Sequence, residues 1–177
     1  MFTPKEVKRI LFAEDEISRY VNSLGERLTR DYAEKNPLFV CVLKGACVFF
    51  SDLIRHVECP LEIAFLSAES YCGTQSTGEV ELSFDKLPEI SGRDVVLVED
   101  IVDTARTLSL VKAQLAARNP ASIKVCCLLD KPSRRVVSGF TADYTGVEID
   151  DLFVVGYGLD YDQRFRNLPY IGILEEP

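Results

Sequence analysis

The chain has 177 residues, 47% of them hydrophobic and 10% aromatic, which suits one domain with a sizeable core and excludes a disordered or fibrous protein. Its 20 Lys and Arg against 28 Asp and Glu give a net charge of −8, which disfavours binding to nucleic acid or anionic lipid. Because residues 1–6 lack a secretory signal pattern and no stretch approaches the roughly 18 apolar residues of a membrane helix, we expect one cytoplasmic domain over residues 1–177.

The first predicted element is a helix over residues 14–35, which Asn36 and Pro37 end. Its apolar positions follow the spacing i, i+4, i+7 and i+11, which puts them on one face: Ile17, Val21, Leu24 and Leu28. Residues 38–43 are apolar throughout, as in a strand covered on both faces, and a second helix follows over residues 46–57.

Two strands are predicted in the middle of the chain, at residues 61–68 and from Val80 to about Phe84, where apolar and polar residues alternate. The loop between them, residues 70–78, is long for a hairpin and rich in small polar residues. Later apolar runs predict strands at residues 94–98, 123–129, 147–149 and 153–157, with a third helix over 105–118.

Apolar strands that alternate with amphipathic helices predict an α/β fold with a mostly parallel central sheet flanked by helices. Ligands of such sheets bind at the carboxyl ends of the strands. That rule directs attention to Lys44 and Gly45, to Glu99 and Asp100, and to the end of the strand that Lys131 follows.

Six cysteines are present, and none falls in a C-x-x-C pair, so a disulfide framework or a zinc site is not expected. Cys41, Cys126 and Cys127 lie in apolar runs, where cysteine is usually a small buried hydrophobe. Cys72 lies in a polar loop and is expected to be exposed, and the single histidine, His56, is interpreted as a surface residue.

The segment of residues 95–108, V-V-L-V-E-D-I-V-D-T-A-R-T-L, has the composition of an anion site. The start of its helix offers unpaired backbone N–H groups and the positive end of the helix dipole, and Thr104, Arg106 and Thr107 add donors and positive charge. Glu99 and Asp100 could accept hydrogen bonds from sugar hydroxyls or hold a divalent cation through water. A phosphate beside a diol describes a ribose 5-phosphate, but a Thr-capped strand-to-helix turn with solvated acids explains the same residues equally well.

The same segment resembles the ribose-phosphate loop of the type I phosphoribosyltransferases. Further segments resemble the purine branch of that family, the hypoxanthine-guanine phosphoribosyltransferases, in order and spacing. They are V-L-K-G at residues 42–45, S-Y at 70–71, L-L-D-K at 128–131, F-V-V-G-Y-G-L-D-Y at 153–161 and R-F-R at 164–166. The resemblance extends over residues 38–173 and implies the type I phosphoribosyltransferase fold, with a small hood from about residues 1–15 and 150–177.

The resemblance implies a purine-salvage enzyme, a magnesium-dependent glycosyltransferase that transfers phosphoribosyl from phosphoribosyl pyrophosphate to hypoxanthine or guanine, giving IMP or GMP. It also implies a homodimer or homotetramer. Glu99 and Asp100 would bind the ribose hydroxyls or the metal. The 5′-phosphate would lie against residues 103–107, that is Asp103, Thr104, Ala105, Arg106 and Thr107.

The remaining roles also come from the resemblance. Asp103 would be the catalytic general base near N7 of the purine, and Lys131 would donate a hydrogen bond to the 6-oxo group. Phe153 would stack on the base and the backbone of Val154 would hydrogen-bond it. Asp160 would lie at the purine site as a magnesium ligand. Pyrophosphate would contact Lys44, Gly45 and Arg166, and a lid that includes Ser70 and Tyr71 would close over the site.

Each assignment has a plainer alternative when the residue is taken alone. Lys131 could be an ordinary surface lysine and Phe153 a core residue. Asp160 and Arg166 could form a surface ion pair of little energetic value. The family often has glycine at the position of Ala105, so we expect either ordinary helical φ there or a phosphate that lies slightly farther out.

Three other functions remain open at this point. The fold could serve another base such as xanthine, since Lys131 and Phe153 do not separate it from guanine. It could be an RNA-binding regulator, against which the net charge of −8 and the lack of a Lys/Arg cluster argue. A non-catalytic relative is the third, although every charged position of the site is filled.

Overall fold

The computed structural model describes residues 4–70, 80–83 and 87–174. Nine strands and three α-helices follow one another in these ranges: β1 (Val7–Phe12), α1 (Glu14–Tyr32), β2 (Leu38–Leu43), α2 (Cys47–Arg55), β3 (Glu62–Ser70), β4 (Val80–Ser83), β5 (Asp94–Val102), α3 (Arg106–Ala116), β6 (Ser122–Asp130), β7 (Tyr144–Glu148), β8 (Val154–Val155) and β9 (Ile171–Leu174). A short 3₁₀ helix, Pro132–Arg134, follows β6.

The main sheet has six strands in the order β4-β3-β2-β5-β6-β7. Five of them are parallel, and β4 pairs antiparallel with β3. The predicted mostly parallel sheet flanked by helices is therefore confirmed. Because β2, β5 and β6 are neighbours in the sheet, their carboxyl ends lie side by side.

Alternation along the buried strands divides the core between the two faces of the sheet. On β2, Phe39 and Cys41 pack with the buried stripe of α1 and with α2. Leu38, Val40 and Val42 face the opposite way and pack with α3. The fully apolar run predicted as a strand covered on both faces is thus confirmed.

A second, three-stranded antiparallel sheet has the order β1-β9-β8. Its strands come from the first and last parts of the described chain, and Val155 of β8 and Tyr170, just before β9, are fully buried in its core cluster. This small sheet corresponds to the predicted hood. The predicted hood limits and the single-domain boundary at residues 1–177 stay predictions.

Several predicted limits were wrong. β5 runs four residues beyond Val98, so Glu99 and Asp100 lie inside a strand that pairs with β6 through Val102. The apolar residues Ile101 and Val102 extend the pairing past the two acids. The third helix begins at Arg106 instead of Ala105, and β1 and β9 were not predicted because their pattern is short and mixed. Within the described ranges, no helix is both long and apolar enough to cross a membrane.

Candidate active site

A cavity of about 620 Å³ opens where the carboxyl ends of β2, β5 and β6 meet the small sheet. Fourteen residues line it: Leu43, Lys44, Gly45, Ser67, Asp100, Ile101, Asp103, Lys131, Phe153, Val154, Leu159, Asp160, Gln163 and Arg166. Both sheets therefore contribute to one site, as the strand-end rule predicts. Most of the residues singled out in the sequence are brought together here.

A smaller cavity of about 260 Å³ adjoins the first and shares Asp100 and Asp103 with it. The end of β5 and the start of α3 line this cavity, including every residue from Glu99 to Leu108. The first N–H groups of a helix lack intrahelical partners, and in α3 that of Arg106 donates to Oγ1 of Thr104 at 3.4 Å. A concave site at a helix start, with Thr104, Arg106 and Thr107 around it, suits one phosphate group.

Ala105 has φ 65° and ψ 8°, the left-handed conformation. The expectation of ordinary helical φ at this position was therefore wrong. The chain must turn sharply between the end of β5 and α3, and a left-handed residue makes that turn, whether or not it is glycine. The methyl group of Ala105 points into the core, where it packs with Leu108 and Val111.

Glu99 and Asp100 form an acidic pair, in which Glu99 is partly buried and Asp100 is 8% exposed. Burial, followed by the neighbouring charge of Asp100, raises the pKa of Glu99 well above its ordinary value. Burial also raises the pKa of Asp100, although hydrogen bonds from Glu99 and the backbone of Ile101 and the charge of Arg166 oppose the rise. A bound cation or donor hydroxyls would compensate this buried charge.

Lys44 and Gly45 follow β2 and lie against the acidic pair. The peptide bond between Leu43 and Lys44 is cis. A Cβ atom at Gly45 would collide with the Asp100 carboxylate, and one at Gly158 would collide with the carbonyl oxygen of Gly45. The loop after β2 therefore packs closely against the side chain of Asp100 and against the backbone of the segment after β8.

Lys131 is 6% exposed, so the interpretation as an ordinary surface lysine was wrong. Its Nζ lies 3.8 Å from Oδ2 of Asp103, and both residues line the larger cavity. The site thus presents an ammonium donor and a carboxylate acceptor next to each other.

Phe153 is 41% exposed and lines the cavity, so it is not a core residue. Its ring meets that of Tyr161 edge-on, with 5.5 Å between the ring centroids. Val154, the next residue, is buried, lines the cavity and begins β8, which is an edge strand of the small sheet. A flat aromatic face beside a backbone edge is suited to a planar heterocycle.

Asp160 and Arg166 form an ion pair at 2.7 Å. Each side chain is only 25% exposed and both line the cavity, so the pair is not an exposed surface pair. Nη1 of Arg166 also donates to the carbonyl oxygen of Gly158, at 2.7 Å. The Arg166 guanidinium is thereby held at the larger cavity, where an anionic leaving group could reach it.

The predicted lid falls largely outside the described residues. Ser70 ends β3, where its backbone pairs with Val80, and Tyr71 and Cys72 lie outside the described ranges. Cys41, Cys126 and Cys127 are buried, as predicted. Within the described ranges, no group of three or more His, Cys, Asp or Glu side chains could hold a metal by itself.

Sequence reasoning missed Arg134, Arg135 and Asp151. Arg135 donates to the carbonyl oxygens of Val102 and Asp103 and pairs with Asp130, which fixes the end of β5 to the loop after β6. Arg134 and Asp151 lie beside Lys131 and Asp103. Their signal was present in the sequence, since two arginines closely follow Lys131 at a strand end and Asp151 shortly precedes Phe153.

Comparison with known proteins agrees with this geometry. Residues 9–162 match the family model "Phosphoribosyl transferase domain". The chain is 47% identical to the hypoxanthine-guanine phosphoribosyltransferase of Streptococcus thermophilus, over 97% of this chain and 96% of the relative. It is 45% identical to the enzyme of the same name from Streptococcus pyogenes, over the same shares of the two chains.

Solved structures are similar as well. A hypoxanthine phosphoribosyltransferase from Staphylococcus aureus superposes with a TM-score of 0.90 at 43% identity, covering 96% of this chain and 92% of that one. A hypoxanthine-guanine phosphoribosyltransferase from Bacillus anthracis gives 0.88 at 40% identity, covering 96% and 99%. A hypoxanthine phosphoribosyltransferase from Trypanosoma cruzi gives 0.90 at 36% identity, covering 99% and 95%.

Proposed function

Because this chain belongs to the phosphoribosyltransferase family, we propose that it transfers the 5-phosphoribosyl group from phosphoribosyl pyrophosphate to hypoxanthine or guanine, giving IMP or GMP. The observation that carries the proposal is the junction of two cavities at Asp100 and Asp103. The smaller cavity suits a phosphate and the larger one a planar base. A nucleotide could then place its phosphate in the smaller cavity, its base in the larger one and its ribose at the acidic pair.

The choice of base rests on Lys131 and Asp103. A 6-oxopurine carries an oxygen acceptor at position 6 and, in its N7–H tautomer, a donor on the same edge of the base. The Lys131 ammonium and the Asp103 carboxylate, 3.8 Å apart, offer the complementary donor and acceptor. Adenine would turn its 6-amino donor toward a buried ammonium, and an unpaired buried ammonium is costly.

In the proposed reaction, the bond between C1 of the ribose and the pyrophosphate oxygen breaks as N9 of the purine bonds to C1. Asp103 accepts the proton that N7 loses, so that the product base is neutral. Positive charge develops on the ribose next to Glu99 and Asp100. Negative charge develops on the leaving pyrophosphate, where Lys44 and Arg166 stabilise it.

Magnesium is part of the proposal. Magnesium usually binds through one or two carboxylates, waters and substrate phosphates, and Asp160, Glu99 and Asp100 offer carboxylates of that kind at the cavity. When bound, the ion would supply positive charge to the pyrophosphate. We also include a homodimer or homotetramer in the proposal, and the cytoplasmic location stays a prediction from the sequence.

A substrate panel tests the proposal directly. With phosphoribosyl pyrophosphate and magnesium, product formation is expected with hypoxanthine or guanine and not with adenine. Xanthine belongs in the panel because it carries the same 6-oxo group. Activity with adenine alone would contradict the role of Lys131, and no product with any base would contradict the proposed function.

The base role of Asp103 has its own test. Asp103→Asn is expected to lower kcat about 10²-fold or more while the KM for phosphoribosyl pyrophosphate changes little. Lys131→Ala is expected chiefly to raise the KM for the purine. Wild-type kcat in Asp103→Asn would show that another group accepts the proton.

A further inference from the structure

Four charged side chains form a closed ring of alternating sign at the purine end of the larger cavity. Nζ of Lys131 lies 3.8 Å from Asp103 and 3.7 Å from Asp151. Arg134 closes the ring, because its Nε lies 3.2 Å from Asp103 and its Nη1 3.5 Å from Asp151. Each cation therefore contacts both anions, and each anion contacts both cations.

Three neighbouring parallel strands supply the ring. Asp103 follows β5, Lys131 follows β6, and Asp151 follows β7. Arg134 ends the 3₁₀ helix that begins just after Lys131, and its backbone N–H donates to the carbonyl oxygen of Lys131. The ring thus adds side-chain contacts between the ends of three neighbouring strands, two of which Arg135 also joins.

The four members are not equivalent. Asp103 and Lys131 line the cavity, whereas Arg134 and Asp151 are not among the described residues that line it. The Lys131 side chain is 8% exposed, while Arg134 is 47% and Asp151 55% exposed. The outer two can therefore reach a purine only through the inner two.

The ring compensates charge before and during purine binding. A buried ammonium without a counter-ion is strongly unfavourable. Both Lys131 contacts are longer than an N–H···O hydrogen bond, so its donors remain available for an oxygen of the base. When Lys131 turns to the 6-oxo group and Asp103 to N7, their mutual contact weakens. Asp151 then still balances Lys131, and Arg134 still holds Asp103.

We propose that Arg134 and Asp151 are positioning residues for purine recognition, which act through Asp103 and Lys131 respectively. The inference rests on the proposed function and extends it to two residues outside the cavity. Arg134 pairs with Oδ1 of Asp103, while Oδ2 lies on the side of Lys131, where it would accept from the base. Asp151 keeps the Lys131 ammonium charged, and pointing toward the cavity, when Asp103 is engaged with the base.

The test measures kcat and both KM values for Arg134→Gln, Arg134→Lys and Asp151→Asn. Arg134→Gln is expected to lower kcat about fivefold, and Arg134→Lys to recover most of that loss because the charge remains. Asp151→Asn is expected to raise the KM for hypoxanthine or guanine about fivefold. The KM for phosphoribosyl pyrophosphate should stay within about twofold in all three.

The matched controls are Asp150→Asn, which removes the same charge from the neighbouring position, and Arg19→Gln on the exposed face of α1. Thermal unfolding of each variant accompanies the kinetics. If the wild type acts on a 6-oxopurine but Arg134→Gln and Asp151→Asn behave like these controls, the ring inference is wrong and the proposed function stands. Equal changes in all kinetic constants together with a lower Tm would show a merely structural role and overturn the inference. A wild type without activity on any 6-oxopurine would overturn both proposals.

Discussion

At Ala105, the cost of a left-handed backbone conformation is set against the stabilisation from a buried methyl group. The left-handed conformation of an L-residue costs roughly 1–2 kcal/mol, which glycine avoids. The buried methyl group contributes about 0.8 kcal/mol of favourable burial, which glycine would lose. Glycine also loses more chain entropy on folding. The terms nearly cancel, so alanine can stand where glycine is the usual choice.

Ala105→Gly is accordingly expected to change the free energy of unfolding by less than about 1 kcal/mol. Ala105→Val is expected to cost roughly 2 kcal/mol or more, since a β-branched side chain fits the left-handed region poorly. Urea denaturation measures both. Ala113→Val, at an exposed position of α3, is the control, and an equal effect there would refute the left-handed placement.

Burial of Glu99 makes the stability of the folded chain depend on pH. Its folded-state pKa is raised by burial and by Asp100, so the ionised form destabilises the folded chain. That destabilisation is absent below the unfolded-state pKa of about 4.3, grows as the pH rises toward the folded-state pKa, and is constant above it.

Glu99→Gln should therefore have a higher Tm than the wild type at neutral pH, by roughly 2–4 °C for each kcal/mol gained. The difference should shrink toward zero as the pH falls to about 4. Thermal scans in the absence of substrate, from pH 4 to pH 8, check this. An equal or lower Tm at neutral pH would contradict the idea that burial of the ionised Glu99 carboxylate destabilises the fold. The same variant should bind phosphoribosyl pyrophosphate more weakly.

Among the elements, the buried strands were the most predictable. Short apolar runs such as residues 38–43 are typical of strands with both faces covered, and the structure has a strand there. The end of β5 was missed because two carboxylates usually end a buried strand, and only the pairing with β6 carries the strand on to Val102. For the site, Asp103 and Lys131 were identified through the family resemblance. Arg134 and Asp151 were not, since their contacts with these two residues depend on which strand ends are neighbours.

The contact between the loop after β2 and the segment after β8 gives a prediction at the element scale. Gly158→Ala places a Cβ on the carbonyl oxygen of Gly45 at a φ of 100°, and is expected to cost roughly 2–4 kcal/mol of stability. It should also raise the KM for phosphoribosyl pyrophosphate, because the Lys44 loop must shift.

Gly139→Ala is the matched control, since Gly139 also has positive φ but a Cβ there would meet nothing within 4 Å. It should cost only about 1 kcal/mol and leave both KM values unchanged. Urea denaturation and steady-state kinetics compare the two. Similar losses in both variants would mean that backbone conformation alone, without the Gly45 contact, accounts for the effect.

At the scale of the whole molecule, the two sheets differ in how well the sequence predicts them. The central strands of the main sheet follow from local patterns, since β2, β5 and β6 each contain a buried apolar run. The small sheet pairs Val7 with Leu174, and no local pattern indicates a partner so far along the chain. Only the resemblance indicated that the terminal segments form a hood.

Net charge is also a property of the whole molecule. With −8 overall, the chain should not shift RNA at micromolar protein concentrations even at low salt, because counter-ion release drives such binding and needs clustered cations. Gel-shift titration with single-stranded and hairpin RNA at 50 mM salt measures this. A salt-sensitive shift at micromolar protein would point to a basic surface strong enough to override the net charge.

The central position of β9 in the small sheet has a consequence for the order of assembly during translation. β9 pairs with β1 on one side and β8 on the other, yet it is synthesised after every other described strand. On the ribosome, the main sheet can therefore form together with the smaller cavity before β1 has its strand partner. The half that carries Phe153, Asp160 and Arg166 can close only once residues 171–174 have emerged, so a nascent chain gains its complete site last.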